Sequence, residues 1–406
     1  MKMDKKYKIG IWLNCKAHAG GTFQYNLLAL LALSEIIKTD PEKYELYCFS
    51  PIKEWEGIIE ENVEGTEYKF IYIKKNIIHQ AFSWISRKTD TGLKVWRNIN
   101  CFFPFAYGEI YEKKIDLMIC PSQDALSYEI KVPTVAAIHD LMHRYESHFP
   151  EAGNKKEYNR RERHYTLMCR FASILLVDSQ VGKQHVKESY GHALKSEIMI
   201  IPYLPPPYIL RHDANKDYSY IKKKYDLFDN YIFYPAQFWM HKNHLRLIEA
   251  INSLKENGLM VNAVFVGSAK NNSDQVIQLI DKLGLNNQVK ILNYVSNEEI
   301  IALYKNALAL VMPTFFGPTN IPVLEALYLG VPVLCSDIYA MPEQVGDAGL
   351  FFNPESVEDI ADKIRLIWTD DSLRKELIEK SHKYGNNMTI ESCAEKLRNV
   401  ISSVLN

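Results

Sequence analysis

Residues 313–334 read PTFFGPTNIPVLEALYLGVPVL, and the order of apolar and polar residues in this stretch indicates the class of fold. A strand-like run ends at a Gly-Pro-Thr-Asn loop (317–320), a short apolar helix follows, and a second apolar strand begins at Val331. Fully apolar strands that alternate with helices are typical of parallel sheets covered by helices on both faces. The stretch therefore predicts an α/β protein.

The short helix of this stretch carries a single acid, Glu325, on its predicted first turn. Thr319 or Asn320 can cap the helix, and Pro322 suits its first turn. Gly330 can end it in the left-handed conformation. From the residues alone, Glu325 has two interpretations. It stabilises the helix dipole, worth ~0.3–1 kcal/mol, or it lies in a partly buried cleft and accepts hydrogen bonds from a vicinal diol such as a ribose.

Length and composition restrict the class of protein. The chain has 406 residues, which is too long for one compact core and predicts two domains of roughly 150–200 residues each. Its formal net charge of -1 gives no global field that favours nucleic acid as a partner. The seven cysteines include no CxxC pair, which favours a reducing cytoplasm over disulfides or a zinc site. The N-terminal apolar run is broken by Asn14 and Lys16, so it predicts a strand, and no apolar window of ~18 residues predicts a membrane span.

Short apolar runs separated by helical patterns predict strands along the whole chain. These runs cover residues 7–13, 44–49, 69–73, 117–120, 134–139, 174–179, 198–202, 231–236, 262–267, 289–295, 308–313 and 331–336. The three prolines of PYLPPPYIL (202–210) predict a boundary between two doubly wound domains, because proline stops helices and central strands. We expect an N-terminal domain over 1–207, a C-terminal domain over 208–389, and a final helix (390–406) that completes the first domain.

Ligands of open parallel sheets bind at the carboxyl ends of strands, so the loops after strands are where chemistry is expected. After the first predicted strand, Gly20 and Gly21 allow backbone amides to approach a ligand closely, and the next helix offers its positive end to a phosphate. A plain tight turn is the alternative. The loop lacks the GxGxxG pattern, so a dinucleotide fingerprint is missing.

Two further loops contain titratable residues. His139 ends a predicted strand, where a hydrogen-bonded core histidine and an acid–base group beside a cleft both fit the pattern. Asp140 and His143 follow, but HDLMH lacks the glutamate of HExxH, so we expect no metal there. Lys242 lies where a strand gives way to an amphipathic helix. Either it is a solvated surface lysine, or its charge adds to the positive end of the helix and suits a diphosphate.

These loops, in this order, resemble the retaining glycosyltransferases of the GT-B fold, specifically glycosyltransferase family four (glycosyl transferases group 1). The resemblance covers most of the chain, and its motifs are HKNHLRLIEAI (241–251), AVFVGS (263–268), VKILNYVSNEEIIALYKNALALVMPT (289–314), IPVLEALYLGVPVLCSD (321–337), MPEQVGDAGLFFNPESVEDIADKI (341–364), GGT (20–22), AIHDLMHRYESHFPE (137–151) and LLVDSQ (175–180). It implies two Rossmann-like domains that face a central cleft. It also implies transfer of a sugar from a nucleotide donor with retained anomeric configuration.

Carried over position by position, the resemblance implies a donor site with three catalytic residues. Glu325 would hold the donor ribose, Lys242 would hold the diphosphate, and His139 would lie near the hydroxyls of the transferred sugar. The backbone of 293–295 would contact the nucleobase, and Gly20 and Gly21 would face the diphosphate and the transferred sugar. The other donor-binding positions that the resemblance implies are Gly20, Gly21, Thr22, Gln237, Asn293, Tyr294, Val295, Gly317, Thr319, Asn320 and Ile321.

Two positions depart from the family pattern. A glutamate is expected eight residues before Glu325, where the chain has Gly317, and an arginine is expected five residues before Lys242, where it has Gln237. The two changes remove one negative and one positive charge. We hypothesise that the pair was lost together because each charge neutralised the other in a desolvated cleft. Residues 318–320 would then grip the sugar by backbone amides and by the Asn320 side chain.

The chemistry that the resemblance implies needs no enzymic nucleophile. Glycosyl transfer develops positive charge at the anomeric carbon and negative charge on the departing diphosphate, and a same-face departure needs only that both are stabilised. No D-x-D motif occurs in the chain, so we expect neither a metal nor another cofactor. The expected reaction moves a hexose (mannose, glucose or galactose) to a glycan or lipid-linked acceptor in surface polysaccharide or lipopolysaccharide biosynthesis. A GT-B nucleotide-sugar epimerase and a non-catalytic binding or scaffold subunit stay open as alternatives.

Residues 68–115 are basic and aromatic and lie in what the resemblance implies is the acceptor domain. An amphipathic basic surface there could dock on an anionic membrane that carries a lipid-linked glycan. A partly buried helix with solvated lysines is the alternative. We expect a cytoplasmic protein that contacts the inner face of the cell membrane. The residues concerned are Lys74, Lys75, Arg87, Lys88, Lys94, Arg97, Phe82, Trp84, Trp96, Phe102, Phe103 and Phe105.

Overall fold

Strands and helices alternate throughout the computed structural model, which describes residues 5–17, 20–74, 76–102 and 107–405. Lys75, Phe103 and Phe105 lie outside the described residues, as does the side chain of Phe102. The strands are β1 (Tyr7–Trp12), β2 (Tyr44–Ser50), β3 (Tyr68–Tyr72), β4 (Leu117–Cys120), β5 (Thr134–Ala137), β6 (Ile174–Val177), β7 (Glu197–Ile200), β8 (Ile232–Pro235), β9 (Ala263–Val266), β10 (Val289–Leu292), β11 (Ala309–Met312), β12 (Val333–Ser336) and β13 (Gly349–Phe352).

The α-helices of the described residues range from one turn to five. They are α1 (Gly21–Thr39), α2 (Trp55–Asn62), α3 (Ile77–Ser86), α4 (Asp90–Phe102), α5 (Gly108–Glu112), α6 (Leu126–Glu129), α7 (Met142–Tyr145), α8 (Lys155–Phe171), α9 (Gln180–Tyr190), α10 (Pro207–Leu210), α11 (Tyr220–Lys224), α12 (His244–Glu256), α13 (Ser273–Lys282), α14 (Asn297–Lys305), α15 (Ile321–Tyr328), α16 (Met341–Val345), α17 (Val357–Thr369), α18 (Asp371–Gly385) and α19 (Ile390–Leu405). None of them is long and apolar enough to cross a membrane.

The strands pair in two sheets, and every pair within them is parallel. The orders are β3-β2-β1-β4-β5-β6-β7 and β10-β9-β8-β11-β12-β13. In each sheet the chain starts at an inner strand, adds two strands on one side, and then returns to continue on the other side. The return creates a topological switch point between β1 and β4 and another between β8 and β11, where open parallel sheets form their ligand crevices. The predicted α/β class with two doubly wound sheets is confirmed.

The strands form where the sequence is fully apolar, because both faces of each sheet are covered. β4 (LMIC), β6 (ILLV), β9 (AVFV) and β11 (ALVM) are buried at every position. This burial fits parallel strands rich in Val, Ile and Leu. All of the predicted strands are present within a few residues of their expected bounds, and β13 is the one that the prediction missed.

The residues form two compact units. Unit 1 comprises Met1–Leu141, Asn159–Pro202 and Ile390–Asn406, and unit 2 comprises Met142–Tyr158 and Tyr203–Thr389. The sequence-based division at 207/208 differs in that residues 142–158 and 203–207 belong with unit 2.

Contacts explain why residues 142–158 belong with unit 2. The Phe149 ring stacks on Phe315 at 5.7 Å between centroids. Glu151 accepts from the backbone N–H of His241 at 2.8 Å, and its carboxylate lies 2.5 Å from His241 Nδ1. These contacts are between residues far apart in sequence, so no local pattern indicates them.

Helix α19 belongs to the core of unit 1. Its buried residues Ala394, Leu397, Val400 and Ile401 join the same apolar cluster as Leu27 and Leu30 of α1. Arg398 also donates to Thr39 Oγ1 at the end of α1, at 2.6 Å. Helix α19 therefore packs beside α1 in the core of the sheet that contains β1.

Candidate donor site in unit 2 and cavity in unit 1

Lys242 lies at the β8 side of the switch point in unit 2. It ends the 3₁₀ turn Met240–Lys242, and Tyr234 Oη donates to its carbonyl at 2.8 Å. Asn243, which follows, adopts the left-handed conformation (φ 59°) and donates from Nδ2 to the carbonyls of Pro313 and Pro354 at 2.8 and 2.9 Å. The loop after β8 is thus fastened to the loop after β11, and α12 begins at His244 with Lys242 at its positive end.

The Lys242 ammonium reaches across the switch point to Asn320. Its Nζ donates to Asn320 Oδ1 at 3.1 Å. Asn320 is held in place by Gln344, which accepts from its backbone N–H and donates to its carbonyl, both at 2.9 Å. Asn320 is the N-cap residue of α15 by position, but its side chain makes no capping hydrogen bond. The predicted cap is therefore absent, because this side chain accepts from Lys242 instead.

Gly317 adopts a backbone conformation that excludes most side chains. Its φ is 132°, and a Cβ there would lie 2.6 Å from Asn320 Nδ2 and 2.9 Å from Asn320 Oδ1. The Asn320 amide therefore occupies the space into which a side chain at position 317 would grow. The N–H of Asn320 donates to Gln344 and Pro318 has no N–H, so the hypothesised grip cannot use these two amides. The Asn320 side chain is also engaged: its Oδ1 accepts from Lys242, and its Nδ2 lies 3.3 Å from Met341 Sδ.

Glu325 is buried in unit 2 and accepts from two tyrosines. Tyr208 Oη donates to Oε1 at 2.6 Å, and Tyr304 Oη donates to Oε2 at 2.7 Å. The residue is 5% exposed. Burial raises the pKa of Glu325, and the two hydroxyl donors oppose that shift. Each carboxylate oxygen can accept a second hydrogen bond, so the group retains acceptor capacity for a ligand.

The position of Glu325 in its helix differs from the prediction. Helix α15 begins at Ile321 and has no acid in its first turn, so Glu325, its fifth residue, lies on the second turn. Stabilisation of the helix dipole therefore does not account for it, because that effect is confined to the first turn. Gly330 has φ 70° just after the end of α15, as predicted for a left-handed terminus.

Three other expected donor residues follow β10, at the edge of the sheet. Asn293 is exposed, Tyr294 is 90% exposed and Val295 is buried. β10 is separated from β8 by one strand, which puts this loop about 10 Å from the β8 loop across the sheet. Gln237, after β8, is exposed, and its Oε1 accepts from the Trp239 indole at 2.9 Å. Thr319 and Ile321 flank Asn320 in the loop after β11.

The expected residues of unit 1 lie after β1 and β5. Gly20 precedes α1 with φ 59°, and Gly21 and Thr22 open that helix. His139 packs edge-on against the Tyr25 ring of α1, with centroids 4.7 Å apart. Burial lowers the pKa of His139, and the nearby Asp140 opposes that shift. The structure therefore brings His139 beside the start of α1, where burial favours the neutral form of its imidazole.

A cavity of about 670 Å³ lies in unit 1 at the β1/β4 switch point. Its lining includes Trp12 at the end of β1, Asn14 after β1, Gln123 after β4, and His79 of α3. Among the described residues, no hydrogen-bond partner is present for Trp12 Nε1, His79 Nε2 or Gln123 Nε2, although all three atoms are buried. Burial lowers the pKa of His79 to about 4, so the ring is neutral at pH 7. Buried polar groups are normally paired, so these three atoms indicate a polar ligand.

A buried carboxylate supports the wall of this cavity. Glu129 is fully buried and accepts from Arg87 Nε at 2.6 Å, Ser83 Oγ at 2.5 Å and Tyr107 Oη at 3.0 Å. Burial raises the pKa of Glu129, and Arg87 opposes that shift. The network fixes α3 and Tyr107 around one charge. Sequence reasoning missed Glu129, since nothing in its local pattern sets it apart from a surface acid.

A second cavity, of about 870 Å³, lies in unit 2; Met240 and Asn243 of the Lys242 loop line it, but Lys242, Asn320 and Glu325 do not. Its charged lining residues are Glu146, Asp337, Glu355, Asp359 and Arg246. Because acids outnumber bases there, its charge disfavours a diphosphate. The described residues contain no group of three or more His, Cys, Asp or Glu placed to hold a metal ion, and all seven cysteines are free.

Part of the chain is similar to known glycosyltransferases. Residues 220–384 match the family model described as Glycosyl transferases group 1. The chain is 30% identical over 181 residues to the O-antigen chain mannosyltransferase B of Escherichia coli, which is 44% of this chain and 48% of that protein. The chain spans about half, or less, of the length of the curated relatives it matches.

Solved structures show the same fold. A glycosyltransferase from Rickettsia africae superposes with a TM-score of 0.72 at 17% identity, over 99% of both chains. Anabaena Alr3699/HepE, solved in complex with UDP and glucose, superposes with a TM-score of 0.68 at 17% identity, over 98% of this chain and 100% of that one. The predicted GT-B fold is confirmed, and residues 220–384 are similar to the glycosyl transferases group 1 family.

Proposed function

We propose that this protein is a retaining glycosyltransferase that moves a hexose from a nucleotide-diphosphate sugar to a glycan or lipid-linked acceptor in surface polysaccharide biosynthesis. The observation that carries the proposal is the Lys242–Asn320 contact at the β8/β11 switch point, inside the segment that matches the glycosyl transferases group 1 family. The Escherichia coli relative is an O-antigen chain mannosyltransferase, which favours mannose among the three hexoses.

The donor would lie along the carboxyl edge of the sheet in unit 2. Lys242 would neutralise the diphosphate, Glu325 would accept from the ribose hydroxyls, and Tyr294 would stack on the nucleobase. The span of about 10 Å between the β8 and β10 loops suits an extended nucleoside diphosphate. The structure of the Anabaena protein contains UDP and glucose, which supports a nucleotide of this kind as donor.

The chemical step would need charge stabilisation more than covalent help. As the glycosidic bond breaks, the negative charge that develops on the diphosphate meets Lys242 and the positive end of α12. The Asn320 side chain, which accepts from Lys242, would also contact the transferred sugar. His139 would donate or accept one hydrogen bond at a sugar hydroxyl. Neither a metal nor a cofactor forms part of this proposal.

The acceptor sugar would occupy the cavity of unit 1. Trp12 Nε1 is a donor only, whereas the imidazole of His79 can donate or accept and the amide of Gln123 donates from Nε2. A saccharide offers hydroxyls that both donate and accept, so it can satisfy all three unpaired atoms at once. We also propose that the protein works in the cytoplasm and contacts the membrane that carries a lipid-linked acceptor.

Donor profiling tests the proposal. The purified protein is incubated with a panel of nucleotide sugars and with lipid-linked glycan extract, and nucleoside diphosphate release is measured. We expect Lys242→Ala to lower the rate by about a hundredfold or more, because it removes the main positive charge that stabilises the departing diphosphate. Glu325→Gln, which keeps the size of the side chain, should raise the KM for the donor. Lys282→Ala, an exposed lysine at the end of α13, is the matched control.

Several outcomes would refute the proposal. Release that persists in both site variants would remove the site assignment, and free sugar formed without acceptor would point to an epimerase. Nucleotide-sugar binding without turnover would point to a scaffold subunit. Inversion at the anomeric carbon, read by NMR of the product, would overturn the retaining mechanism, and loss of activity with EDTA would overturn the metal-independent one.

A further inference from the structure

Helix α3 has its polar side inward and its apolar side outward. Its buried residues are His79, Ser83 and Ser86, which recur at helical spacing on one face. Helices of soluble proteins normally bury the apolar stripe, and α3 does the reverse. Five large apolar side chains of α3 are more than half exposed: Ile77 (82%), Ile78 (58%), Phe82 (57%), Trp84 (62%) and Ile85 (56%).

Hydrogen bonds fix this inverted orientation. Ser83 and Arg87 both donate to the buried carboxylate of Glu129, and the Asn76 side chain caps the helix by accepting from the N–H of Ile78 at 2.8 Å. Turning the isoleucines inward would leave Glu129 buried without its partners, which is costly for an ionised group. The outward apolar face is therefore a fixed feature of unit 1.

The apolar surface continues onto α4. Val95 and Ile99, one turn apart, are 50% and 37% exposed. Phe82 of α3 stacks on Trp96 of α4, with centroids 6.3 Å apart and planes within 12°. Seven of the thirteen large hydrophobic side chains exposed among the described residues lie on these two helices. We call this surface the α3–α4 face; patches of this kind mark interaction sites.

Charge identifies the partner of the α3–α4 face. Residues 68–108 contain one acid, Asp90, which pairs with Arg163 and Arg170. Lys74, Lys88 and Lys94 are exposed, and Lys88 Nζ lies 3.5 Å from the centre of the Trp84 ring. The basic residues of this stretch are Lys69, Lys74, Lys75, Arg87, Lys88, Lys94 and Arg97. This local excess contrasts with the net charge of -1 of the whole chain.

We infer that the α3–α4 face lies on an anionic membrane surface, with the apolar side chains of α3 inserted at the boundary between headgroups and acyl chains. The exposed lysines would contact the lipid phosphates, as in amphipathic helices that lie in the membrane plane. A second copy of the chain fits less well, because two such faces would bring like charges together. The inference deepens the proposed function and rests on it for the membrane contact, because it names the surface that binds lipid; that binding needs no turnover.

Vesicle co-sedimentation tests the inference on the full chain, without donor or acceptor. We expect binding to phosphatidylcholine vesicles that contain phosphatidylglycerol, weak binding to phosphatidylcholine alone, and release by salt. Replacing Ile77, Ile78 and Ile85 together by Ser should weaken binding by about tenfold for each side chain. The double change Lys74→Glu and Lys88→Glu should abolish the preference for anionic vesicles. Insertion should also shift the tryptophan fluorescence to shorter wavelength, and Trp84→Phe should remove that shift.

Matched controls lie in unit 2. Met260→Ser with Ile277→Ser removes apolar side chains that are 55% and 50% exposed, and Lys282→Glu with Lys375→Glu reverses two exposed lysines. Both controls should bind vesicles like the natural chain. The inference is overturned if the natural chain does not bind anionic vesicles at low salt, or if the controls lose as much binding. It is also overturned if the triple Ile variant only abolishes self-association. Because no sugar transfer is measured, these results are independent of the donor assay.

Discussion

Tyr304→Phe tests whether the buried carboxylate of Glu325 is ionised in the folded protein. The change removes only the hydroxyl that donates to Glu325 Oε2 at 2.7 Å and lies 3.2 Å from the Pro322 carbonyl. The ring should stay in place, because it packs edge-on against Phe233 with centroids 4.9 Å apart. The remaining donor to the carboxylate is then Tyr208.

The size of the effect depends on the charge of the acceptor. A hydrogen bond to a charged group contributes about 1.5–3 kcal/mol, and a neutral one about 0.5–1.5 kcal/mol. Water cannot replace the hydroxyl of Tyr304, because Tyr304 itself is fully buried beside Glu325. We therefore expect a loss of about 2 kcal/mol, which lowers the melting temperature of a domain of this size by about 4–8 °C.

Thermal and urea unfolding of matched variants measure this difference. Tyr231→Phe is the neutral reference, since its buried hydroxyl donates to the Leu303 carbonyl at 2.7 Å. Tyr208→Phe should cost less than Tyr304→Phe, because Tyr208 is partly exposed and water can take its place. In a Glu325→Gln background the cost of Tyr304→Phe should fall by about 1 kcal/mol.

A clear result would refute this reasoning. If Tyr304→Phe costs no more than Tyr231→Phe at pH 7, Glu325 is not an ionised acceptor, and its proposed role towards a ribose loses its basis. The comparison is repeated at acid pH, where protonation of Glu325 should remove the excess cost. An excess that does not change with pH would likewise exclude the carboxylate as its source.

Four further predictions concern other residues. Gly317→Ala should lower both the unfolding free energy and the donor affinity, because the new Cβ would push Asn320 away from Lys242; Gly258→Ala, also at positive φ but in open space, is the control, and equal effects would contradict the steric reason. Gly317→Glu should lower activity further by adding one unbalanced charge, and an unchanged or improved rate would refute the paired-loss hypothesis. The unfolding free energy should fall as the pH drops from 6.5 towards 4, because burial lowers the pKa of His79, His164 and His241 to about 4 and that of His244 to about 3, so the unfolded chain binds these protons first. Each histidine contributes up to ~1.4 kcal/mol per pH unit. Urea midpoints at several pH values measure the fall, which His244→Phe should reduce in part, and a midpoint that does not change with pH would contradict the prediction. Arg87→Ala should destabilise unit 1 by about 3–5 kcal/mol, because Glu129 stays buried without its partner, whereas Arg87→Met with Glu129→Gln should recover most of the loss in urea unfolding.

The sequence predicts the sheets of this protein well, because strands buried on both faces are apolar at every position. β4, β6, β9 and β11 are such strands. β13 (GLFF) was missed because it begins with glycine and lies at a sheet edge, where three of its four residues are only partly buried. The switch points follow from the strand order, which no local pattern contains.

The candidate site could be predicted in part. Lys242 and Glu325 stand out because loops after parallel strands are the expected place for chemistry. Their partners do not, since Tyr208 is 117 residues from Glu325 and Tyr304 is 21 residues away. Tyr208 also lies in the proline-rich segment that the sequence identifies only as a boundary. The inverted orientation of α3 could not be predicted either, because the spacing of its apolar residues indicates an amphipathic helix but not which side is buried.

The assignment of residues 142–158 to unit 2 has a consequence for domain exchange with relatives. A chimera that joins a foreign first half to this chain at residue 208 would discard Tyr203–Pro207, and it would also replace Phe149 and Glu151. The transplanted half would lose the carboxylate that holds the loop of His241, next to Lys242. Hybrid enzymes should therefore take residues 142–158 and 203–389 from the same parent, although residues 159–202, which belong to unit 1, lie between them in the sequence.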